Sequence, residues 1–393
     1  MSKKVLLFVL KSINNVGEDI LEETTRHLIQ NVSENAIVST GQLWPEPSFL
    51  KKKYRVDWYL GAIFFRIAIR FKGNLQYKIK NWAYRTKFYR YFKFCITNTD
   101  IVIYPVGMLK YSTQNFSYVF YLINQLAAKY NKPVLMSAMS PQTKDAGDWR
   151  YHQLVKAVNM PSVKMITTRD GEYGMEIIYS DYLKRKIHCE YVGDPALWIP
   201  ETYKVKCPKY INSCTTCVGI NVIRKGIFDD YNRSFTDKEL CSIYVELIKL
   251  IEEKGWNWFV FCNGIESDWE ALRELQRIIG FSEKHVMQQF SSAKDFVTKI
   301  AGFDAVFGAR LHSCITSVSL GVPVVGFIWD NKIKYFAETM KIRQFFFEPK
   351  NMTASNIIQA LEQAMKYKYD INNIAFYKNK TRESLRLFLE ESF

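Results

Sequence analysis

The sequence predicts an α/β protein of two Rossmann-like domains that face a cleft, each a parallel sheet flanked by helices. Three observations carry this. Short apolar runs alternate with longer segments of helical periodicity along most of the chain, the pattern of strand–helix–strand units. The alternation restarts at Cys217 after a connecting segment, Pro200 to Ser213, which reads as an interdomain linker. At 393 residues the chain is also long enough to bury two cores of ordinary size.

The first half opens with a buried strand, Lys4 to Leu10, then a loop through Gly17 and a helix from Glu18 to about Gln30. Asn15-Val16-Gly17-Glu18-Asp19 marks that helix start: a glycine there lets backbone approach a ligand closely, and Asn15 can hold a hydroxyl or cap the turn. Ala36 to Thr40 is the second strand, and a basic, aromatic insertion over 41–98 precedes the third, Asp100 to Val106. A helix over 116–130, a strand from Pro133 to Ser137, a strand from Val163 to Thr168 and a helix from Glu172 to Tyr182 follow. Arg169-Asp170 falls at the strand-to-helix turn. Tyr191 to Pro195 closes this half, giving a first domain over 1–200.

In the second domain, 201–366, the strand Cys217 to Ile223 leads to a helix over 236–254, a strand from Trp258 to Cys262 and a helix over 268–279. A short strand from His285 to Gln289 and a helix over 293–301 come next. The stretch from Ala305 to Thr339 then reads as strand, helix, strand, helix, with Gly321 stopping the first helix and Pro323 opening the second strand. Arg310 and His312 fall at the carboxyl end of a strand, where parallel sheets present ligands. The helix that begins at Leu311 adds unpaired N–H groups and partial positive charge. An arginine, a histidine and a helix start suit an anion that must also exchange a proton. Phe345 to Phe347, a helix over 353–366 and a helical tail over 367–393, returning toward the first domain, complete the chain.

Charged residues make up 24 % of the chain and apolar ones 48 %, a globular balance, and no run of about 18 apolar residues occurs to span a membrane. Residues 1–10 read as a strand rather than a signal peptide, because no small-residue cleavage site follows. Eight scattered cysteines without a disulfide framework favour a reducing cytoplasm. Cys207, Cys214 and Cys217 cluster, but no second pair or nearby histidine completes a metal set, so buried thiols are the simpler reading. His27, His152, His188 and His285 have no motif around them and read as structural. No Walker lysine motif and no dinucleotide fingerprint occur.

The formal charge of +15 is concentrated: Lys51 to Phe94 holds thirteen Lys/Arg against the single acid Asp57. Interleaved aromatics leave three readings for that segment: an anionic membrane surface, a plain solvated helix face, or, least favoured, a nucleic-acid backbone.

GARLHSCITSVSLGVPVVGFIWDNKIKYF resembles the C-terminal signature of the polysaccharide pyruvyl transferase family: Arg-Leu-His, a small-residue helix, Gly-Val-Pro-Val, an apolar strand, then a lysine and an aromatic. Asn15 to Asp19 and Arg169-Asp170 are similar to weaker family features. Val106-Gly107-Met108 lacks the usual paired glycines, the loop Ala138-Met139-Ser140-Pro141 lacks glycines, and no serine follows Arg169 as it often does in the family. The resemblance implies a GT-B-like arrangement and transfer of a pyruvyl group from phosphoenolpyruvate to sugar hydroxyls, closing a ketal. The acceptor is then a glycan or lipid-linked glycan precursor, and the protein is expected in the cytoplasm or peripherally at the inner face of the cell membrane.

That donor carries a phosphate and a carboxylate, which arginine recognises with its planar fork. Arg310 and Arg169, one from each domain, are the candidate donor arginines, with backbone N–H groups from Leu311 and a further charge from Lys332. His312 is the candidate for proton exchange. Asn15, Gly17 and Asp19 are candidates on the acceptor side, Asp19 as a carboxylate sharing the proton work. The chemistry requires no metal and no cofactor besides the donor substrate. A GT-B glycosyltransferase using a nucleotide sugar is the alternative on the same scaffold; for its ribose carboxylate the sequence offers only Glu338.

Overall fold

The computed structural model describes residues 2–11, 15–112, 116–205, 215–231 and 233–391. The chain divides into two compact units. The first comprises residues 1–12, 25–193 and 380–393, and the second residues 13–24 and 194–379.

In the first unit, β1 (Lys4–Val9), β2 (Ile37–Gln42), β3 (Ile101–Tyr104), β4 (Val134–Met139), β5 (Val163–Thr168) and β6 (His188–Tyr191) form one sheet. Its order is β2-β1-β3-β4-β5-β6, and every pairing is parallel. Central strands buried on both faces are apolar nearly throughout, and β3 and β4 are buried at every residue, Ser137 included. The helices that accompany these strands are α1 (Val16–Val32), whose first residues belong to the second unit, then α2 (Lys52–Ala68), α3 (Gly73–Thr97), α4 (Phe116–Lys129), α5 (Trp149–Val158) and α6 (Gly171–Ile177). The helix expected to run to Tyr182 widens after Ile177 into a π turn over Ile178–Tyr182. There the Asp181 carbonyl accepts the Tyr151 hydroxyl at 2.5 Å and the Asp181 carboxylate accepts the Lys144 amide at 3.0 Å. Those tertiary bonds stabilise the wider turn.

In the second unit, a short α7 (Ile199–Tyr203) precedes β7 (Cys217–Asn221). Next come α8 (Ile227–Asp230), α9 (Asp237–Glu253), β8 (Asn257–Phe261), α10 (Glu266–Ile279) and α11 (Ala293–Ile300). The signature stretch supplies β9 (Ala305–Gly308), α12 (Leu311–Ser319), β10 (Val324–Phe327) and α13 (Asn331–Thr339). The last elements are β11 (Phe346–Phe347), α14 (Ala354–Lys366) and α15 (Ile371–Glu390), whose residues from 380 on belong to the first unit. This sheet is also wholly parallel, in the order β11-β10-β9-β7-β8.

The strand expected at His285 to Gln289 is a correction. Only Val286 pairs, as an isolated bridge to Val260, after a 3₁₀ turn over Glu283–His285. Val286 and Met287 are buried while Gln288 and Gln289 are exposed, too short an apolar run to extend the edge beside β8. His285 is instead fixed locally, its ring stacked on Trp258 at 4.1 Å and its Nδ1 2.9 Å from the Trp258 carbonyl.

Each sheet has a point where strand order reverses, between β1 and β3 and between β7 and β9. Connections leaving such a pair go to opposite faces, so a crevice opens at the carboxyl ends of the two strands. Asn221 ends β7, and Ala309 and Arg310 follow β9, which places the signature arginine at the second of these points.

Candidate active site

In the second unit the site is built around a buried amide. Asn221, fully buried at the end of β7, accepts through Oδ1 from the backbone N–H groups of Ala309 at 3.2 Å and Arg310 at 2.9 Å. Its Nδ2 donates to Asn263 Oδ1 at 3.2 Å, and Ser313 Oγ donates to the same oxygen at 2.7 Å. The Asn263 carbonyl in turn accepts the Val16 amide at 3.0 Å, at the start of α1. One satisfied polar network therefore fixes the turn after β9, the first turn of α12 and the first residue of α1. Buried amides held this way specify a single arrangement, because any other leaves them unpaired.

Arg310 is oriented by Asp268, a fully buried carboxylate in the first turn of α10. Arg310 Nε donates to Asp268 Oδ2 at 2.9 Å and Nη2 to Oδ1 at 2.5 Å, and the Arg224 amide donates to Oδ1 at 2.9 Å. The Nε–Nη2 edge, the one suited to forking a carboxylate, is thereby taken and its charge balanced. The Nη1 edge has no hydrogen-bond partner among the described residues, and the side chain keeps 15 % of its surface accessible. The guanidinium carbon stands 5.8 Å from the Trp329 ring, and Lys332 Nζ stands 4.9 Å from the same ring. Lys332 also lies 3.3 Å from Asp330, which caps α13 by accepting the Lys332 amide. Trp329 is itself held by Nε1 donating to the Ala309 carbonyl at 2.7 Å and by Tyr231 packing edge-on at 5.0 Å. Two cations thus flank one indole.

His312 is 9 % exposed and lies in the first turn of α12, one residue after Leu311. Gly17, in the first turn of α1, is packed directly on it. A Cβ added at Gly17 would stand 2.6 Å from the imidazole Cγ and closer still to Nδ1, so only glycine fits. The first turns of α1 and α12 therefore converge at this imidazole, and both bring the positive end of a helix dipole. Asn15 caps the first of them: its Oδ1 accepts the Gly17 amide at 3.2 Å and its carbonyl accepts the Glu18 amide at 2.9 Å. Asp19 lies in the same first turn, half-buried. Asp19, Glu22 and Glu23 act electrostatically on Tyr203, whose phenol is pushed far up, first by burial and then by these acids.

Arg169 belongs to the first unit, just after β5. Its Nε donates to Ser140 Oγ at 3.1 Å and its Nη2 to the Gly107 carbonyl at 3.0 Å. Gly107 has φ +53°, which favours glycine, and a Cβ there would stand 2.6 Å from Nη1 and displace the guanidinium. Ser140 Oγ also donates to the buried Asp170 at 2.9 Å. The single glycine after β3 and the glycine-free loop after β4 thus supply this arginine's cradle.

The structure gathers Arg310, Leu311, His312 and Lys332 with Gly17, Asn15 and Asp19, and gives Arg169 a well-defined surrounding in the other unit. Sequence reading missed Asp268, Asn221, Asn263, Ser313 and Trp329. Trp329 could have been flagged by its place at the carboxyl end of an apolar strand; the others carry no local signal. Glu338 is a solvent-facing helix residue 3.9 Å from Lys334. Cys207 and Cys214 lie outside the described residues; Cys217 is buried in β7, with its thiol pushed up to about 12 by burial. No cluster of metal-binding side chains occurs among the described residues, and none of their helices is long and apolar enough to cross a membrane.

The fold is similar to that of UDP-GlcNAc 2-epimerase from Methanocaldococcus jannaschii, at TM-score 0.60 and 10 % identity with all of both chains covered. It is also similar to the epimerase from Neisseria meningitidis, at TM-score 0.59 and 11 % identity, covering 99 % of this chain and 100 % of that one. At such identities the likeness concerns the fold, two Rossmann-like domains of GT-B type, and not the reaction. No curated protein matches the sequence. The polysaccharide pyruvyl transferase family, by contrast, matches residues 15–331, a span running from the Asn15 cap to the first residue of α13 and containing Arg169, Arg310 and His312. The chain belongs to the polysaccharide pyruvyl transferase family.

Proposed function

We propose that the protein transfers the pyruvyl group of phosphoenolpyruvate onto two hydroxyls of a glycan or lipid-linked glycan precursor, forming a ketal and releasing phosphate. The observation that carries the proposal is the meeting of Arg310 and His312 with the first turns of two helices at the strand-order reversal of the second sheet.

The reaction needs a proton on the enol methylene, which leaves C2 cationic. A sugar hydroxyl adds to C2 as it loses its proton. The C2–O bond to phosphate then breaks, and a second hydroxyl closes the ring. Of the two hydroxyl protons, one balances the proton taken up by the methylene and the other leaves with phosphate. Imidazole exchanges protons in the neutral range, which suits His312 to one of these transfers. The open Nη1 edge of Arg310, the Leu311 amide at the helix start and Lys332 supply donors for the phosphate and carboxylate. Because Asp268 already balances Arg310, binding a multiply charged donor calls for further cations. Arg169 is proposed as one of them.

Calorimetric titration with phosphoenolpyruvate, and phosphate release in the presence of an acceptor glycan, test the proposal. Saturable donor binding is expected. Arg310→Ala and Arg169→Ala should weaken it, and His312→Ala should abolish turnover while the protein stays folded. Binding of nucleotide sugars with no response to phosphoenolpyruvate would overturn it.

A further inference from the structure

Helix α2 is two-faced in an unusual sense. Tyr54, Gly61 and Ala68, spaced by seven residues, are buried. A Cβ at Gly61 would stand 2.6 Å from the Ala83 carbonyl, so this face lies tightly against α3. The opposite face is also apolar. Val56, Tyr59, Leu60, Ile63 and Ile67 recur at intervals of three and four residues and are 60, 56, 44, 52 and 39 % exposed. Ten of the sixteen large apolar side chains exposed among the described residues belong to positions 56–94. A helix that merely packs on its neighbour and meets water has no use for a second stripe of this kind.

The charges around the stripe say what covers it. At 100° per residue, Arg55 and Arg66 run along one flank, Lys53 lies on the other, and Lys52 and Arg70 mark the ends. All five are exposed. Between Lys51 and Phe94 there are thirteen cations and one acid, Asp57, and that acid is paired with Arg90 at 3.1 Å. A second copy packed through this face would set cation against cation. A nucleic-acid backbone would satisfy the cations but leave five apolar side chains in water.

An anionic bilayer surface satisfies both groups together: apolar side chains enter the acyl boundary while long basic side chains reach back to the headgroups. We propose that the exposed face of α2 docks in the plane of a membrane bearing anionic phospholipid, with Leu60 and Ile63 at the centre of the inserted stripe. This surface is independent of the donor chemistry and stands or falls separately from it.

The test is sedimentation of the full chain with sucrose-loaded vesicles of about 30 % phosphatidylglycerol in phosphatidylcholine, beside pure phosphatidylcholine vesicles. Binding to the anionic vesicles alone is expected, weakened by salt. Leu60→Ser with Ile63→Ser should lower the partition coefficient about 100-fold, at about tenfold per inserted aliphatic side chain. Arg66→Gln with Arg70→Gln should lower it about 25-fold, at about fivefold per cation. Unchanged circular-dichroism melts would show that both variants fold. The proposal is overturned if the wild-type chain ignores anionic vesicles or if the double-serine variant binds them equally well. It is also overturned if a lipid-free dimer is lost in that variant, which would make the face a self-association surface. Binding of duplex DNA without binding of vesicles would equally overturn it.

Discussion

Gly17→Ala offers the sharpest test of whether His312 is a working residue held in place by the start of α1. The added methyl would lie 2.6 Å from the imidazole Cγ and 3.0 Å from its Cβ, where ordinary carbon contacts are 3.4 Å or more. One of the two must retreat, by about 1 Å. His312 is 9 % exposed and the start of α1 is tied to Asn263, so neither has free room. Overpacking of this order costs about 1–3 kcal/mol of stability, and about 1 Å of misplacement costs about a hundredfold in rate. The assay is a double-mutant cycle with His312→Ala, measuring thermal unfolding and phosphate release. If the clash is with the imidazole, removing the imidazole removes the two shortest contacts and leaves only the one to Cβ at 3.0 Å. Gly17→Ala should then cost at least about 0.5 kcal/mol less in the His312→Ala background than in the wild-type chain. Wild-type activity in Gly17→Ala, or a stability cost undiminished without the imidazole, would refute the reasoning.

Two further predictions concern charges that burial controls. Asp268→Asn keeps the shape of the carboxylate but leaves the Arg310 cation without its counter-charge in a largely buried place, where breaking such a pair costs about 3–5 kcal/mol. Unfolding of the second unit should come at least about 6 °C earlier, and turnover should fall because the guanidinium loses its orientation; unchanged turnover would show that Asp268 is only structural. Lys87, over the Trp58 ring at 3.9 Å, is lowered to about 8 by burial, against the opposing pull of Glu46. Below pH 8 both folded and unfolded chains carry its proton and the folded state bears the desolvation cost. Between pH 8 and 10.5 the folded chain has lost a proton that the unfolded chain keeps, so stability rises with pH. Lys87→Met should stabilise the protein by about 1 kcal/mol at pH 7, after solvent screening and the cation–π attraction are discounted, and the gain should vanish near pH 10.5. Urea unfolding at both pH values checks this, and a pH-independent difference would contradict it.

Much of the fold was legible because a parallel strand buried on both faces must be apolar along its length, while its flanking helices need only one apolar stripe. The contrast is strongest from Ala305 to Thr339, where strand and helix boundaries agree with the reading to within a residue or two. It failed at His285 to Gln289, where two buried residues imitate a strand too short to form. Family membership was readable for a related reason, since Arg310, Leu311 and His312 are contiguous and their turn is local.

By itself, then, the sequence determined the alternation of strands and helices, the kinship, and the placing of an arginine and a histidine at a helix start. Tertiary structure decided what those side chains meet. Asp268 reaches Arg310 across 42 residues of chain, Asn221 reaches its amide across 89, and Gly17 comes onto His312 from near the start of the sequence. Periodicity reports which face of an element is buried but not which strand lies beside it, and strand order is what brings distant residues together at the carboxyl ends of β7 and β9.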